Sequence, residues 1–231
     1  MGCDIHFHIE VKKDTVWQHH DWREPHKQGV YNDSSTKYDY GTMFENPLWI
    51  SRNYDLFAIL ADVRNGYGFA GVKTGDGFIP ISQPRGLPAD VTAEVRSESD
   101  GWGCDGHSHS WLTLAELQAY DWDEQSTQQL GWVNPAEYLS FKENGKPNSW
   151  CGGVSGGRIV HVSNEGMDRL LKSGEASADD IAGDQDKYYY TRVSWEESYR
   201  DAVGAAWFRT MEKLAELDKP ENVRIIFWFD N

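Results

Sequence analysis

The chain has 231 residues and a formal net charge of −15, and 39% of its residues are hydrophobic. This length fits one large domain. The negative charge disfavours long nucleic acid as a partner, no apolar run is long enough for a membrane span, and the N-terminus lacks a signal-peptide pattern. Three cysteines form an odd set without a disulfide framework, which favours a cytoplasmic location.

The N-terminal residues alternate between apolar and polar side chains over residues 3–11, which is the period of a β-strand. The polar face of this predicted strand carries Asp4, His6, His8 and Glu10. A turn at residues 12–15 leads into a second predicted strand at 16–20, which gives an N-terminal hairpin. Residues 21–51 have few periodic features and are expected to form a surface insertion.

Helices and short strands are predicted through the middle of the chain. Apolar residues at helical spacing predict a helix over residues 54–65. The Gly/Pro-rich segment 66–88 is expected to contain an edge strand at 78–81. Further helices are expected at 90–99, at 113–120 after a capping box of Thr113 and Glu116, and from Asn134. A strand at 157–162 and a helix at 164–172 follow.

The last part of the chain completes an α+β fold. Residues 175–186 are acidic and predict a mobile loop. A strand at 187–193 precedes a long helix to residue 217, which a second capping box of Ser194 and Glu197 would open. The apolar strand at 223–229 is expected to be central. The predicted fold is a single domain over 1–231, with a mainly antiparallel sheet against which the helices pack.

Two hexapeptides, beginning at Cys3 and Cys104, share the pattern Cys-Asp-x-His-x-His and contain half of the eight histidines. Residues two apart on a strand point the same way, roughly 7 Å apart, so each histidine pair can converge on one ion. The second copy contains Gly106 and Ser108 and is predicted to be a loop. The combined set predicts a divalent zinc, manganese or iron site with the ligands Asp4, His6, His8, Asp105, His107 and His109.

A metal at this site would activate a bound water for hydrolysis. The catalytic candidates are the four histidines His6, His8, His107 and His109, with Glu10 and Asp230 as second-shell or general-base groups. Candidates for ligand binding are arginines in Gly/Pro/Asn-rich segments and aromatic side chains near the second hexapeptide, namely Arg52, Arg64, Arg85, Trp102 and Trp111.

The Asp4-x-His6-x-His8 run resembles the first-strand metal motif of amidohydrolases and of polymerase-and-histidinol-phosphatase-type phosphoesterases. The chain lacks the strand–helix alternation of a (β/α) barrel, so the resemblance covers local chemistry only. His161 and Ser163 resemble the H-x-[ST] motif of two-histidine phosphoesterases, which predicts His161 as a ligand-binding residue and needs no metal. Hydrogen-bonded structural histidines and a closed structural zinc site remain alternatives.

Five segments resemble a family of uncharacterised phage and bacterial proteins: the opening Met1-Gly2-Cys3-Asp4-Ile5-His6, the run 52–65, the turn 84–88, the run 105–113 and the closing Phe227-Trp228-Phe229-Asp230-Asn231. This resemblance implies a phage-associated protein in the host cytoplasm that destroys or sequesters a host nucleotide immune signal. The expected function is a metal-dependent phosphodiesterase for a small anionic nucleotide. Nucleotide sequestration without catalysis and metal-free two-histidine chemistry are the alternatives.

Overall fold

A computed structural model describes residues 2–21, 24–25, 44–45, 52–177 and 186–230. Most of the predicted insertion at 21–51 and of the acidic loop at 175–186 lies outside these residues. Helices occur together with antiparallel and mixed sheets, which confirms the predicted α+β fold. The chain divides into two compact units, each assembled from separate segments, and the single-domain organisation stays a prediction.

The four-stranded unit comprises Asp4–Arg52, Gln83–Tyr120 and Gly204–Asn231. Its strands are β1 (Asp4–Lys13), β2 (Val16–His20), β5 (His107–Thr113) and β9 (Val223–Asp230), and a separate pair joins β3 (Glu24–Pro25) to β4 (Phe44–Glu45). The main sheet has the order β2-β1-β9-β5 with all neighbours antiparallel. The N-terminal hairpin and the central C-terminal strand are thereby confirmed.

The described part of this unit also contains the α-helices α2 (Ala93–Trp102), α3 (Leu114–Ala119) and α7 (Ala205–Ala215). α3 packs against β9 and α7. Val95 of α2 forms a buried cluster with Ile226 and Trp228, which share one face of β9. Every residue of β9 from Val223 to Phe229 is buried, so both faces of the strand are covered, which explains why its sequence is almost continuously apolar.

A buried ion pair joins β1 to β9 on the face that α2 covers. Arg224 donates through Nε to Glu10 Oε2 at 2.8 Å, and the two residues are only 2% and 0% exposed. Glu10 Oε1 accepts the backbone N–H of Thr92 at 2.8 Å, and Arg224 also donates to Asp90. Since Thr92 is the N-cap residue of α2, these bonds attach the start of that helix to the sheet.

The three-stranded unit contains Asn53–Ser82 and Asp121–Val203 together with the first residues of the chain. Its elements are α1 (Tyr54–Ala61), β6 (Ser126–Val133), α4 (Pro135–Asn144), β7 (Ile159–Val162), α5 (Asn164–Ser173), β8 (Tyr188–Ser198) and α6 (Tyr199–Val203). In the sheet order β6-β8-β7, β8 is antiparallel to β6 and parallel to β7. The helices α4 and α5 pack against β8 around a core of Val133, Tyr138, Met167, Val193 and Trp195.

Several predicted helix boundaries are confirmed closely. Thr113 and Glu116 form both bonds of the capping box that opens α3. Asn134 accepts a backbone N–H as the N-cap of α4, and α5 begins at Asn164. The helix predicted at 54–65 ends earlier, because Asp62 has a left-handed φ of 59° and its N–H closes the last turn.

Other predicted elements are wrong. No strand forms at 78–81, β6 was not predicted, and the second helix lies at Ala93–Trp102 instead of 90–99. The long helix expected from Ser194 is replaced by the end of β8, where buried Val193 and Trp195 alternate with exposed neighbours, as in a strand. Gly204, with a φ of 77°, then separates α6 from α7. Within the described residues, no helix has both the length and the apolar character that a membrane span requires.

We expect Glu10→Ala to lower the free energy of unfolding by about 3–5 kcal/mol, because the Arg224 guanidinium would stay buried without its counter-charge. Urea unfolding measures this change. Combining Glu10→Met with Arg224→Met should recover much of the loss, since neither charge then remains. As a control, Asp218→Asn breaks the exposed pair with Lys13 and should have a far smaller effect. Equal losses in the single and double Glu10 variants would contradict this explanation.

Asp55 is a partly buried residue whose carboxyl group lies in the first turn of α1. Burial raises its pKa from 3.8 to about 7, a hydrogen bond from Gln129 opposes this increase, and the negative charge of Glu197 adds to it. The Gln129 Nε2 donates to Asp55 Oδ2 at 3.1 Å. In the folded protein the carboxyl group therefore keeps its proton up to about pH 7.

Between pH 3.8 and about 7 the folded state binds this proton more tightly than the unfolded chain, so Asp55 makes stability fall as the pH rises. We expect wild-type protein to lose roughly 2–4 kcal/mol more than Asp55→Asn between about pH 4 and pH 8. Urea unfolding at both pH values tests this difference. The variant Asp76→Asn, at an exposed carboxylate of the same unit, should follow wild type. Parallel profiles for Asp55→Asn and wild type would refute the raised pKa.

Candidate functional site

The sheet face covered by α2 carries most residues of the predicted site. Antiparallel pairing places His6 of β1 opposite Trp228 of β9, and Asp4 opposite Asp230. Side chains two residues apart on a strand point to the same face. His6, His8, Trp228 and Asp230 therefore lie on one face, as the alternation in the N-terminal sequence predicted for the histidines.

A bulge in β5 separates the two histidines of the second hexapeptide. The strand register shifts after His107, and Ser108 has a left-handed φ of 52°. His107 pairs with Phe229, and their ring centroids are 6.1 Å apart. His109 instead lies over Trp228 on the other face. The prediction of a loop here is wrong, and His107 does not join the other three histidines.

Trp228 is the centre of the site. Its ring centroid lies 5.6 Å from that of His6, 4.9 Å from that of His8 and 5.5 Å from that of His109. All three imidazoles are within 20° of parallel to the indole ring. These three histidines, called the histidine cluster below, come from both hexapeptides and share one fully buried aromatic neighbour.

Helix α2 contributes three further side chains to this face. The Trp102 ring centroid is 3.9 Å from that of His6. Ser99 Oγ is 2.9 Å from His109 Nε2, and Glu98 Oε1 is 3.4 Å from His8 Nε2. The sequence interpretation missed Ser99 and Glu98. Val95 and Trp102 are apolar residues on one face of α2, and Ser99 lies between them on the same face. With the helix placed correctly, this spacing would have identified Ser99 as a residue that faces the sheet.

His6 is paired with a carboxylate. Its Nε2 lies 3.2 Å from Asp230 Oδ2, and the two side chains are 19% and 22% exposed, so solvent reaches both. The other carboxylate oxygen, Oδ1, accepts the backbone N–H of Asp4 at 3.0 Å. A carboxylate held in this way orients the imidazole and favours the tautomer that carries its proton on Nε2, which suits a general base.

Arg52 lies beside this pair through Asp4. It donates from Nε to Asp4 Oδ1 at 2.8 Å and from a terminal nitrogen to Oδ2 at 2.5 Å, which is the bidentate geometry that also binds phosphate. The hydrogen bond from Arg52 holds the pKa of the Asp4 carboxyl below its usual value. Both side chains are about half exposed, so this ion pair is open to exchange with solvent ions.

The predicted metal ligands are not gathered into one set. Among the residues that the structure describes, no group of three or more His, Cys, Asp or Glu side chains is arranged to hold a metal ion. Each Nε2 of the histidine cluster has a different neighbour, namely Asp230, Glu98 or Ser99. Asp105 is exposed and contacts Cys104. The described residues therefore do not fit the expected zinc, manganese or iron site.

Three other predicted residues of this unit have structural contacts. Arg85 donates to Glu116 at 2.7 Å and lies over the ring of Trp111 at 5.1 Å. Trp111 also lies 5.9 Å from the guanidinium of Arg224. Glu10 uses both carboxylate oxygens for Arg224 and Thr92, so its contacts are those of an anchor for α2.

Arg64 and His161 belong to the three-stranded unit. Arg64 lies 5.3 Å from the Tyr54 ring centroid. The His161 ring stacks on that of Trp132 at 4.2 Å, and its Nε2 donates to the carbonyl oxygen of Val154 at 2.9 Å. Ser163, the hydroxyl residue of the H-x-[ST] run, accepts a backbone N–H as the N-cap of α5.

We expect His109 to titrate below the pKa of an unperturbed histidine, which is about 6.5. Burial lowers its pKa most, the positive charge of His107 lowers it further, and Asp100 acts in the opposite direction. Because the folded state disfavours the proton, this group makes stability fall as the pH drops below about 6.5. Histidine ring NMR measures the midpoint. The variant His107→Gln should raise it, and a wild-type midpoint at or above 6.5 would contradict the burial effect.

Comparisons with known proteins give no family assignment. No protein-family model matches the chain, and neither the curated proteins nor the solved structures contain a match. The histidine cluster and its neighbours are therefore the basis for the function proposed for this chain.

Proposed function

We propose that the protein is a hydrolase that cleaves a small phosphoester, such as a cyclic or linear nucleotide, by general acid–base catalysis in the histidine cluster. The observation that carries this proposal is the 3.2 Å contact between His6 Nε2 and Asp230 Oδ2 at a partly exposed position. Of the expected chemistries, metal-free phosphodiesterase chemistry has the most support. Each Nε2 of the histidine cluster lies beside a different Asp, Glu or Ser side chain, so the three rings are placed for proton transfer and do not converge on one ion.

His6 supplies the base. When its Nε2 donates a proton to Asp230, the remaining lone pair is on Nδ1, for which the described part of the chain provides no hydrogen-bond partner. This nitrogen takes a proton from water, and the Asp230 carboxylate stabilises the resulting imidazolium. The contact between Asp230 and the Asp4 backbone keeps the carboxylate in place during this transfer.

His8 supplies the acid. Its Nε2 lies 3.4 Å from Glu98 Oε1, so a carboxylate is present at ion-pair distance from the ring. The protonated ring can give its proton to the oxygen that leaves when the phosphorus–oxygen bond breaks. The shared position of His6 and His8 on one face of β1 places the acid and the base roughly 7 Å apart along the strand.

The cellular context is part of the same proposal. The family resemblance supports a phage-encoded protein that works in the host cytoplasm on a nucleotide immune signal. A net charge of −15 suits a ligand with few phosphates better than a long nucleic acid. Arg52 supplies a bidentate guanidinium beside the site.

A second candidate is a protein that sequesters a nucleotide without cleaving it. The contact of the partly exposed Trp102 ring with His6, at 3.9 Å between centroids, favours this alternative, because such a surface can stack on a base. The two candidates differ in their product. A sequestering protein returns the ligand intact after heat denaturation.

We expect wild-type protein to hydrolyse at least one member of a panel of cyclic and linear nucleotides, and His6→Ala and Asp230→Asn to lower kcat by about 10²–10⁴-fold. Liquid chromatography of the products measures the rates. His20→Ala is the matched control, since His20 pairs with Ile9 and points to the other sheet face. Thermal unfolding confirms that each variant is folded. Equal activity in His6→Ala and His20→Ala would refute the proposed base.

A further inference from the structure

We propose that Ser99 is a nucleophile and His109 its general base, so that the reaction passes through a covalent phosphoserine intermediate. This inference deepens the proposed hydrolase function and rests on it. The carrying observation is the 2.9 Å distance between Ser99 Oγ and His109 Nε2. A hydroxyl group this close to an imidazole nitrogen has the geometry of an activated serine.

The fold holds both groups firmly. Ser99 lies on the buried face of α2, one helical turn from Val95, which packs against Ile226 and Trp228. His109 follows the bulge at Ser108 and stacks on Trp228. Neither side chain needs to move for the hydroxyl group to donate its proton to Nε2. This donation requires His109 to be neutral, and burial lowers its pKa in the required direction.

A hydrogen-bond donor lies in the same cluster. The indole nitrogen Nε1 of Trp228 is buried and has no hydrogen-bond partner within the described residues. An unsatisfied buried donor costs free energy unless a ligand uses it. The Trp228 N–H is therefore suited to a phosphoryl oxygen whose negative charge increases during attack.

Gly106 packs closely against these groups. A Cβ atom at this position would lie 3.4 Å from Trp228 Cδ1, 3.5 Å from His109 Cε1 and 3.0 Å from Trp102 Cβ. Trp228 Cδ1 is bonded to the free Nε1, and His109 Cε1 is bonded to Nε2. A side chain at Gly106 would therefore crowd both the donor and the base.

The reaction then has two steps. In the first, Ser99 Oγ bonds to phosphorus while its proton passes to His109 Nε2, and the leaving oxygen departs with a proton from His8. In the second, water attacks the phosphoserine and gives a proton to His6. The bond from phosphorus to Ser99 Oγ breaks, and this oxygen recovers its proton from His109. Histidine protons re-equilibrate with solvent after each cycle.

A fluorophosphonate reagent tests the nucleophile without any nucleotide, because Ser99 Oγ would displace fluoride from phosphorus. Intact-mass and peptide mass spectrometry should find the adduct on Ser99 in wild-type protein. The control Ser97→Ala, which removes an exposed hydroxyl group on the same helix, should be labelled like wild type. We expect no adduct in Ser99→Ala and labelling at least about 10²-fold slower in His109→Gln, which lacks the base.

The outcomes separate this inference from the proposed function when nucleotide hydrolysis is measured on the same samples. Failure to label Ser99 in folded wild-type protein, or equal labelling rates in wild type and His109→Gln, overturns the nucleophile. Hydrolysis that continues in Ser99→Ala overturns it as well and leaves the acid–base hydrolase intact. Labelling of Ser99 without hydrolysis of any nucleotide supports the nucleophile and overturns the substrate class. Gly106→Ala should slow labelling while Ser99 and His109 are both retained.

Discussion

The ion pair between Arg224 and Glu10 determines how the four-stranded unit presents its histidines. Both charges are removed from water, so each must be satisfied by the other and by fixed neighbours. Only one register of β1 against β9 brings the two side chains together on the same face. A slip of one residue would reverse the faces, leave both charges unpaired and send His6 and His8 to the other side of the sheet.

The same ion pair positions the helix that covers the site. Glu10 accepts the N–H of Thr92, the residue before α2, and Arg224 binds Asp90. With its N-terminus held in this way, α2 packs against Ile226 and Trp228. Ser99 then contacts His109, and Trp102 contacts His6. The proposed chemistry thus depends on a structural pair about two strand residues away from the histidines. This arrangement explains how a site with few direct contacts between its histidines keeps a defined geometry.

The sequence predicted the parts of the fold that local patterns determine. Alternation fixed the faces of β1, the apolar run identified β9 as central, and Thr113 with Glu116 marked the start of α3. Local patterns gave the wrong secondary structure where contacts between distant parts of the chain determine it. Ser194 and Glu197 have capping-box spacing, yet they lie in β8 because the alternate residues Val193 and Trp195 enter a core. The second hexapeptide is predicted as a loop because Gly106 and Ser108 are typical of loops, but pairing with β9 makes its last residues part of β5.

Some residues of the candidate site could be predicted from the sequence, and others could not. Repetition of a rare residue type identified His6, His8 and His109, but it gave no indication of the bulge that excludes His107. A converging metal set was the natural expectation for His-x-His spacing. Trp228, which fills the space between the strands carrying these histidines, could be recognised as central only after the register was known. Ser99 and Glu98 depend on the placement of a helix across the sheet, which no local pattern encodes.

The proposed chemistry requires His6, His8 and His109 to surround Trp228, and a nuclear Overhauser spectrum of protein labelled in histidine and tryptophan detects this arrangement. The Trp228 ring protons should show cross-peaks to the rings of His6, His8 and His109, while His107 shows them to Phe229. Cross-peaks between Trp228 and His107 in place of His109, or none to the β1 histidines, would contradict the arrangement and with it the proposed chemistry.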